Sequence, residues 1–300
     1  MPLQSTGVSK YLRMVLELAK LRITVAVTLT TATGYFMAAR RFEREMWLSL
    51  LGVFVLACGS AACNQWQECV IDARMERTRG RPIPSGRMDP SLALFISVAF
   101  MLLGLYSLAS ISRNPNTLVS LGGLAVVWYN GMYTYLKRVT AFAVIPGALI
   151  GAIPPFIGYA AAGGSLHDPR IVLVALFFFV WQIPHFWLLL LLMGSEYRAA
   201  GLPTATDKFT RPQLVRITFM WMLATAAAGL AFPALGLMEG MLPWGIGMVC
   251  ASTWLAVKAT NILGAPIDDD GTPLVRRAFG HINAFALMVM ICLSMGALSA

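Results

Sequence analysis

The chain has 300 residues, 58% hydrophobic and 12% charged, with a formal net charge of +9. Soluble proteins carry roughly a quarter charged residues, so this deficit and a mean hydropathy of +0.69 exclude a soluble globular domain. An all-α integral membrane protein is expected, and the positive charge calls for no nucleic acid because topology accounts for most of it.

Nine apolar stretches of roughly bilayer-spanning length run over 23–39, 47–63, 92–111, 118–135, 142–162, 171–193, 214–235, 241–262 and 274–299. The first follows a basic leader with Lys10, Arg13, Lys20 and Arg22. That leader is long for a secretory signal and eight further spans follow, so the segment reads as a retained helix. The last stretch holds Arg276, Arg277, His281 and Asn283, so its apolar part begins beyond them. Placing the N-terminus in the cytoplasm puts 18 of the 23 Lys and Arg on the inner side. Only Arg40, Arg41, Arg44, Arg113 and Arg170 fall outside. The positive-inside rule then predicts a cytoplasmic (inner) membrane protein with its N-terminus in the cytoplasm and its C-terminus on the opposite side. The five cysteines are odd in number, form no CxxC pair and mostly lie in apolar spans, so they read as small buried hydrophobes.

The second span runs into "NQWQECVIDARMERTRGRPIPSGR", residues 64–87. Asn64, Glu68 and Asp72 are four residues apart, and each step advances a helix by about 400°, so the three oxygens form one slightly drifting stripe. Oxygen donors suit a hard cation such as Mg2+, which usually keeps several waters. The plain alternative is a solvated helix end whose carboxylates pair with Arg74 or Arg77. Arg74, Arg77, Arg79, Arg81 and Arg87 then follow around Gly80, Pro82, Pro84 and Gly86. Guanidinium groups offer planar, bidentate donors to phosphate, so carboxylates beside arginines describe a diphosphate–Mg2+ site. Lipid-headgroup contact competes for some of these arginines, Arg79 and Arg87 first among them.

A second inner loop, "YTYLKRVT", contributes Lys137 and Arg138 to the same compartment, although tyrosines with basic neighbours also serve as interfacial anchors. The sixth span holds His185 between Pro184, Phe186 and Trp187, and ends in Glu196 and Tyr197. An ionisable residue at membrane depth is a functional hypothesis, while a hydrogen-bonded interior histidine is the plainer one. Spans two and six share an orientation, and each ends in an acidic residue before a basic, Gly/Pro-broken loop. That pattern hints at a duplicated four-helix unit, about 23–140 and 142–262, plus a ninth helix within one membrane domain. The acidic run Asp268–Asp270 sits in "GAPIDDDGTP" and reads as a solvated loop.

These residues resemble the UbiA superfamily of intramembrane prenyltransferases. The first signature, with Glu68 and "DARMERT", looks most like the heme O synthase branch. "KLRIT" (20–24), "YTYLKRVT", "GAIPPFIGYAA" and "WQIPHFW…EYRAAGLP" follow in matching order across 20–203. The resemblance implies nine helices around a central cavity with a cytoplasmic polar cap. It implies Asn64, Glu68 and Asp72 as metal-site residues, with Glu196 the nearest stand-in for the second acidic motif. It implies Arg77, Arg81, Lys137 and Arg138 on the diphosphate, and His185, with Trp187 and Tyr197, toward the porphyrin. Mg2+, farnesyl diphosphate, protoheme and the lipid bilayer are the implied cofactor and partners, with other heme-pathway or oxidase-assembly membrane proteins beside them. The departures are Ala143 where the branch usually has Asn, Pro146 in a normally aliphatic segment, Leu21 where Pro is usual, and "TATDKF" at 204–209. They bear mainly on the acceptor and the second metal position. Prenyl transfer to an aromatic quinone precursor or another tetrapyrrole is the nearest alternative. A membrane carrier needs binding groups near the midplane, where only His185 lies deep, and a purely structural role leaves Glu68 and Asp72 without a purpose.

Overall fold

The computed structural model describes residues 7–238, 242–264 and 272–300, so the Asp268–Asp270 loop lies outside the described residues. Ten helices follow in chain order: α1 (Gly7–Ala19), α2 (Leu21–Ala39), α3 (Arg44–Gln67), α4 (Pro90–Ala109) and α5 (Pro115–Val126, continuing through a π-helical turn, Val127–Tyr133, into Thr134–Leu136). After these come α6 (Val144–Ala161), α7 (Pro169–Ala199), α8 (Arg211–Ala234), α9 (Leu242–Gly264) and α10 (Thr272–Ser299). Several starts are written in the sequence. Asp89-Pro90 and Asp168-Pro169 each place an aspartate whose side chain accepts from first-turn amides ahead of a proline that needs no partner.

Among the described residues, seven helices (α3, α4 and α6–α10) are long and apolar enough to cross a membrane. The other two expected spans are helical but fall short of that measure. α5 is interrupted by the π turn. α2 carries Thr24, Thr28, Thr30, Thr31 and Thr33, which lower its apolarity. Each of those hydroxyls donates to a carbonyl three or four residues back at 2.7–3.2 Å. The helix therefore satisfies its own polar groups and can lie in an apolar setting. At 1.5 Å per residue it rises about 28 Å.

Each helix from α2 to α9 packs on the next, α9 packs on α10, and α10 returns to α2, which closes a ring. α2 also crosses α6 at backbone contact. A Cβ on Gly34 would lie 2.1 Å from the Pro155 carbonyl oxygen, and one on Gly158 would lie 1.9 Å from that of Thr31. Small residues permit this approach where no hydrophobic force drives helices together. Most of the buried apolar side chains gather in two clusters. Tyr35, Val53, Leu56, Leu108 and Ile157 centre one, and Phe177, Phe178, Phe232 and Phe285 centre the other.

The amphipathic α1 stays outside the ring. Its Met14 and Leu18 are buried beside Ala62, Ile83 and Met88, while Tyr11, Leu12 and Leu16 are exposed. The Gln65 amide of α3 fixes it by donating to the Glu17 and Leu18 carbonyls at 3.0 Å each. This docking delivers Lys20, the residue between α1 and α2, to the end of α3.

Candidate functional site

The stripe of Asn64, Glu68 and Asp72 survives a break in its helix. α3 ends at Gln67, and Glu68 takes φ −106° and ψ 6° before the single turn Cys69–Asp72. The ladder nonetheless continues, with the Glu68 amide on the Asn64 carbonyl at 3.0 Å and the Asp72 amide on the Glu68 carbonyl at 2.8 Å. All three side chains are buried, at 2%, 7% and 4% exposure. Buried carboxylates need partners, and each member of the stripe meets a cation from a different segment. Lys20 donates to Asn64 Oδ1 at 2.9 Å. Lys137, just past α5, pairs with the Glu68 carboxylate. Arg81, in the loop after α3, pairs with Asp72 Oδ2 at 2.6 Å.

The pairing with Arg74 or Arg77 that the bare sequence allows does not occur; both arginines are exposed. The Pro/Gly loop is instead folded back on its own anchors. Met75, Thr78 and Ile83 are buried, and the Thr78 hydroxyl donates to the Asp72 carbonyl at 2.9 Å. Arg87 leaves the site to pair with Glu17 of α1 at 2.7 Å, and Arg79 faces Glu76 at the surface. Arg138 donates to the Gln67 carbonyl at 2.6 Å, closing the end of α3, and lies 5.2 Å from the Tyr135 ring centre.

The π turn of α5 brings its polar groups onto α3. Asn130 donates to the Ser60 carbonyl at 3.0 Å and to Gln67 Oε1 at 3.2 Å. Thr134 accepts from Asn64 Nδ2 at 3.2 Å and donates to the Tyr129 carbonyl at 2.9 Å. Tyr129 and Tyr133 stack 6.0 Å apart, and the Lys137 ammonium sits 5.6 Å from the Tyr133 ring centre. Sequence reasoning passed over Lys20, Thr134 and Asn130. An asparagine inside an apolar span was the available signal for Asn130, whereas Lys20 looked like one more charge of a basic leader.

Half-buried Lys20 is short of negative charge. Its enclosure first, then Arg81 and Lys137, lower its pKa from the ordinary 10.5 to about 7, against the opposing pull of Glu68 and Asp72. The cluster of Lys20, Arg81, Lys137, Glu68 and Asp72 thus carries one positive charge more than it neutralises when all five are ionised. Such a site is built to receive an anion. As donors to a metal, one amide and two carboxylate oxygens fit a hard cation that completes its shell with water and substrate oxygens. Among the described residues no three His, Cys, Asp or Glu side chains form a ready-made metal cluster.

The end of α7 joins the same region. Tyr197 lies within electrostatic reach of Arg77, Glu68, Arg81 and Asp72, and Glu196 keeps one buried carboxylate oxygen without a hydrogen bond among the described residues. A cleft of about 130 Å³ opens here between Tyr133, Lys137, Ala143, Phe186, Tyr197 and the 202–205 segment. Both Ala143 and Thr204 line this cleft, so two of the sequence departures meet at one place. His185 stands deeper, with its Nδ1 3.0 Å from Asn283 Oδ1 of α10 and its ring 4.8 Å from Trp181 and 4.9 Å from Phe279. Trp187 is not brought to it; that ring is buried edge-on against Trp221, 6.3 Å away in the second core.

Comparison with known proteins places this arrangement. Residues 27–296 match the UbiA prenyltransferase family. A protoheme IX farnesyltransferase of Geobacter sulfurreducens is 39% identical over 233 residues, covering 77% of this chain and 85% of that protein. The protoheme IX farnesyltransferase of Oleidesulfovibrio alaskensis is 33% identical over 282 residues, covering 94% and 95%. Among solved structures, digeranylgeranylglyceryl phosphate synthase superposes with a TM-score of 0.76 at 13% identity, over 96% of this chain and 99% of the other. A UbiA homologue of Archaeoglobus fulgidus bound to DMAPP and Mg2+ gives 0.68 at 15% identity, over 95% and 99%.

Proposed function

The chain belongs to the UbiA prenyltransferase family, and on that premise we propose that it transfers farnesyl from farnesyl diphosphate to a vinyl group of protoheme within the membrane. The observation that carries the proposal is the polar stripe of Asn64, Glu68 and Asp72 running on from the end of α3, met at each step by a cation from a separate segment. The relatives named for protoheme farnesyl transfer supply the acceptor. By the distribution of Lys and Arg, the site end of the bundle faces the cytoplasm.

Ionising an allylic diphosphate separates a cation from a leaving group of high negative charge. Bound Mg2+ supplies charge neutralisation on the leaving oxygens, and Asn64, Glu68 and Asp72 are the residues to hold it, with Glu196 the candidate second contribution. Arg81 and Lys137 exchange their carboxylate partners for phosphate oxygens as charge develops, with Arg77 at the mouth. Arg138 fixes the end of α3 and so the stripe. The C–O bond breaks with its electron pair leaving on diphosphate. The farnesyl tail lies among apolar helix faces beside Tyr133 and Phe186, away from water that would capture the cation. The vinyl π electrons form the new C–C bond, and water adds to the resulting cation and loses a proton, giving a hydroxyethylfarnesyl side chain. His185 and Tyr197 face the side on which the porphyrin is proposed to enter.

The test is to incubate purified protein with MgCl2, farnesyl diphosphate and heme and to identify products by mass. A farnesylated, hydrated heme is expected. Prenylation of an aromatic acid in a parallel incubation, with heme unchanged, overturns the acceptor. Asp72→Ala is expected to reduce turnover by at least about a hundredfold while the protein still inserts and folds; near-wild-type turnover overturns the metal–diphosphate site.

A further inference from the structure

The three cations around the stripe do not stand in a common pool. Each covers one oxygen donor: Lys20 on Asn64, Lys137 on Glu68 and Arg81 on Asp72. The first of these is the least expected. Lys20 takes the left-handed conformation, φ 48° and ψ 53°, at the junction of α1 and α2, a conformation that non-glycine residues adopt only where their surroundings impose it. The constraint comes from both sides. Gln65 holds the last turn of α1, and the Ile23 and Thr24 amides close on the Lys20 carbonyl at 2.9 and 3.3 Å to start α2.

The side chain so aimed gives one hydrogen bond among the described residues, to Asn64, although an ammonium has three N–H donors. Asn64 in turn is pinned through its amide nitrogen to Thr134. The Asn64 oxygen is thereby held against the Lys20 ammonium, whose positive charge opposes a metal ion at the same oxygen. The other two N–H donors of Lys20 make no hydrogen bond among the described residues, and Arg81 and Lys137, which pair with Asp72 and Glu68, stand in the same cluster, so an arriving anion can be shared by all three cations.

Resting on the diphosphate–Mg2+ reading above, we propose that Lys20 is a further diphosphate-binding residue that covers Asn64 until substrate enters, so that diphosphate and divalent cation bind only in combination. A cation arriving alone meets donors already held by positive groups. A diphosphate arriving alone must draw Lys20, Lys137 and Arg81 away from donors that are then left buried and unpaired, which costs free energy. Arriving together, the two exchange partners: the phosphate oxygens take the protein cations and the metal takes the freed oxygens. The coupling is reciprocal, as any binding linkage must be.

The experiment is calorimetric titration of the full chain in nanodiscs with inorganic pyrophosphate under chelator, with MgCl2 alone, and with pyrophosphate in saturating MgCl2. For the wild type, pyrophosphate is expected to bind at least about tenfold more tightly with Mg2+ than without it. Lys20→Met is expected to weaken pyrophosphate in saturating MgCl2 by about tenfold or more, and to tighten the binding of MgCl2 alone, because Asn64 is uncovered. A purely structural lysine would not improve metal binding on removal. Lys20→Arg, which keeps the charge, is expected to retain most of the pyrophosphate affinity and provides the folded control. Lys20→Met binding pyrophosphate within about twofold of wild type, or equal affinity for MgCl2 alone in both proteins, overturns the role of Lys20. If wild type binds no pyrophosphate under any condition, the diphosphate site itself is overturned and this inference falls with it.

Discussion

Among the described residues, Asp72, Glu68 and Asn64 are buried and matched one to one with the cations Arg81, Lys137 and Lys20. Removing one partner of such a pair leaves an uncompensated buried charge, which costs more than the pair contributes. Lys137→Met is therefore expected to weaken diphosphate binding and also to lower the melting temperature, because Glu68 loses its counter-ion; thermal unfolding in detergent checks the second effect. On the opposite end, Glu43 shows the same physics without substrate chemistry. It accepts from Arg113 at 2.7 Å, from Tyr35 at 2.8 Å and from Arg41 at 2.7 Å. These bonds, Arg113 first, hold its pKa at about 2 against the ordinary 4.5. A depressed carboxylate contributes stability that is complete above its unfolded value and fades as pH falls toward the folded one. Glu43→Gln should accordingly flatten the fall in melting temperature between pH 4.5 and 2 relative to wild type; an unchanged slope contradicts the assignment.

At the scale of elements, the helices follow from apolar length and capping residues, but their contacts follow from small residues. The α2–α6 crossing depends on Gly34 and Gly158 lying against carbonyl oxygens of the facing backbone. Gly158→Leu has no room without parting the two helices, and overpacking of this kind costs about 1–3 kcal/mol or more. A lower melting temperature together with lost heme farnesylation is expected, whereas Gly80→Ala, where a Cβ would meet nothing within 4 Å, should leave stability unchanged. The π turn belongs to the same scale. It spoils α5 as a simple apolar span and in exchange turns Asn130 and Thr134 onto α3.

For the whole molecule, the two ends of the ring have different work. The site end gathers Lys20, Arg81, Lys137 and Tyr197 from four segments over α3. The other end joins two loops through Glu43–Arg113 and closes the start of α7 through Asp168–Arg170. Replacing Arg113 or Arg170 by Gln is expected to keep turnover within about twofold of wild type while reducing thermal stability; a loss of turnover at unchanged stability would assign that end a catalytic part. The cleft beside Lys137 collects Ala143 and Thr204; Ala143→Asn is expected to shift the ratio of prenylated acceptors, read by product mass from parallel incubations, and an unchanged ratio removes the cleft from acceptor choice.

The amino-acid sequence by itself determined the membrane class, the helical segments and the stripe that runs on from the end of α3. Each of these rests on local composition or on a period of four residues, which neighbours along the chain can carry. Only the tertiary structure decided which cation meets which oxygen. Arg81 rather than Arg74 or Arg77 reaches Asp72 because the Pro/Gly loop folds back on Met75, Thr78 and Ile83. Lys20 becomes part of the site because α1 docks on Gln65, and Trp187 leaves it because its face of α7 packs on α8. Such pairings join residues up to 71 positions apart, and no local pattern records the distance that packing closes.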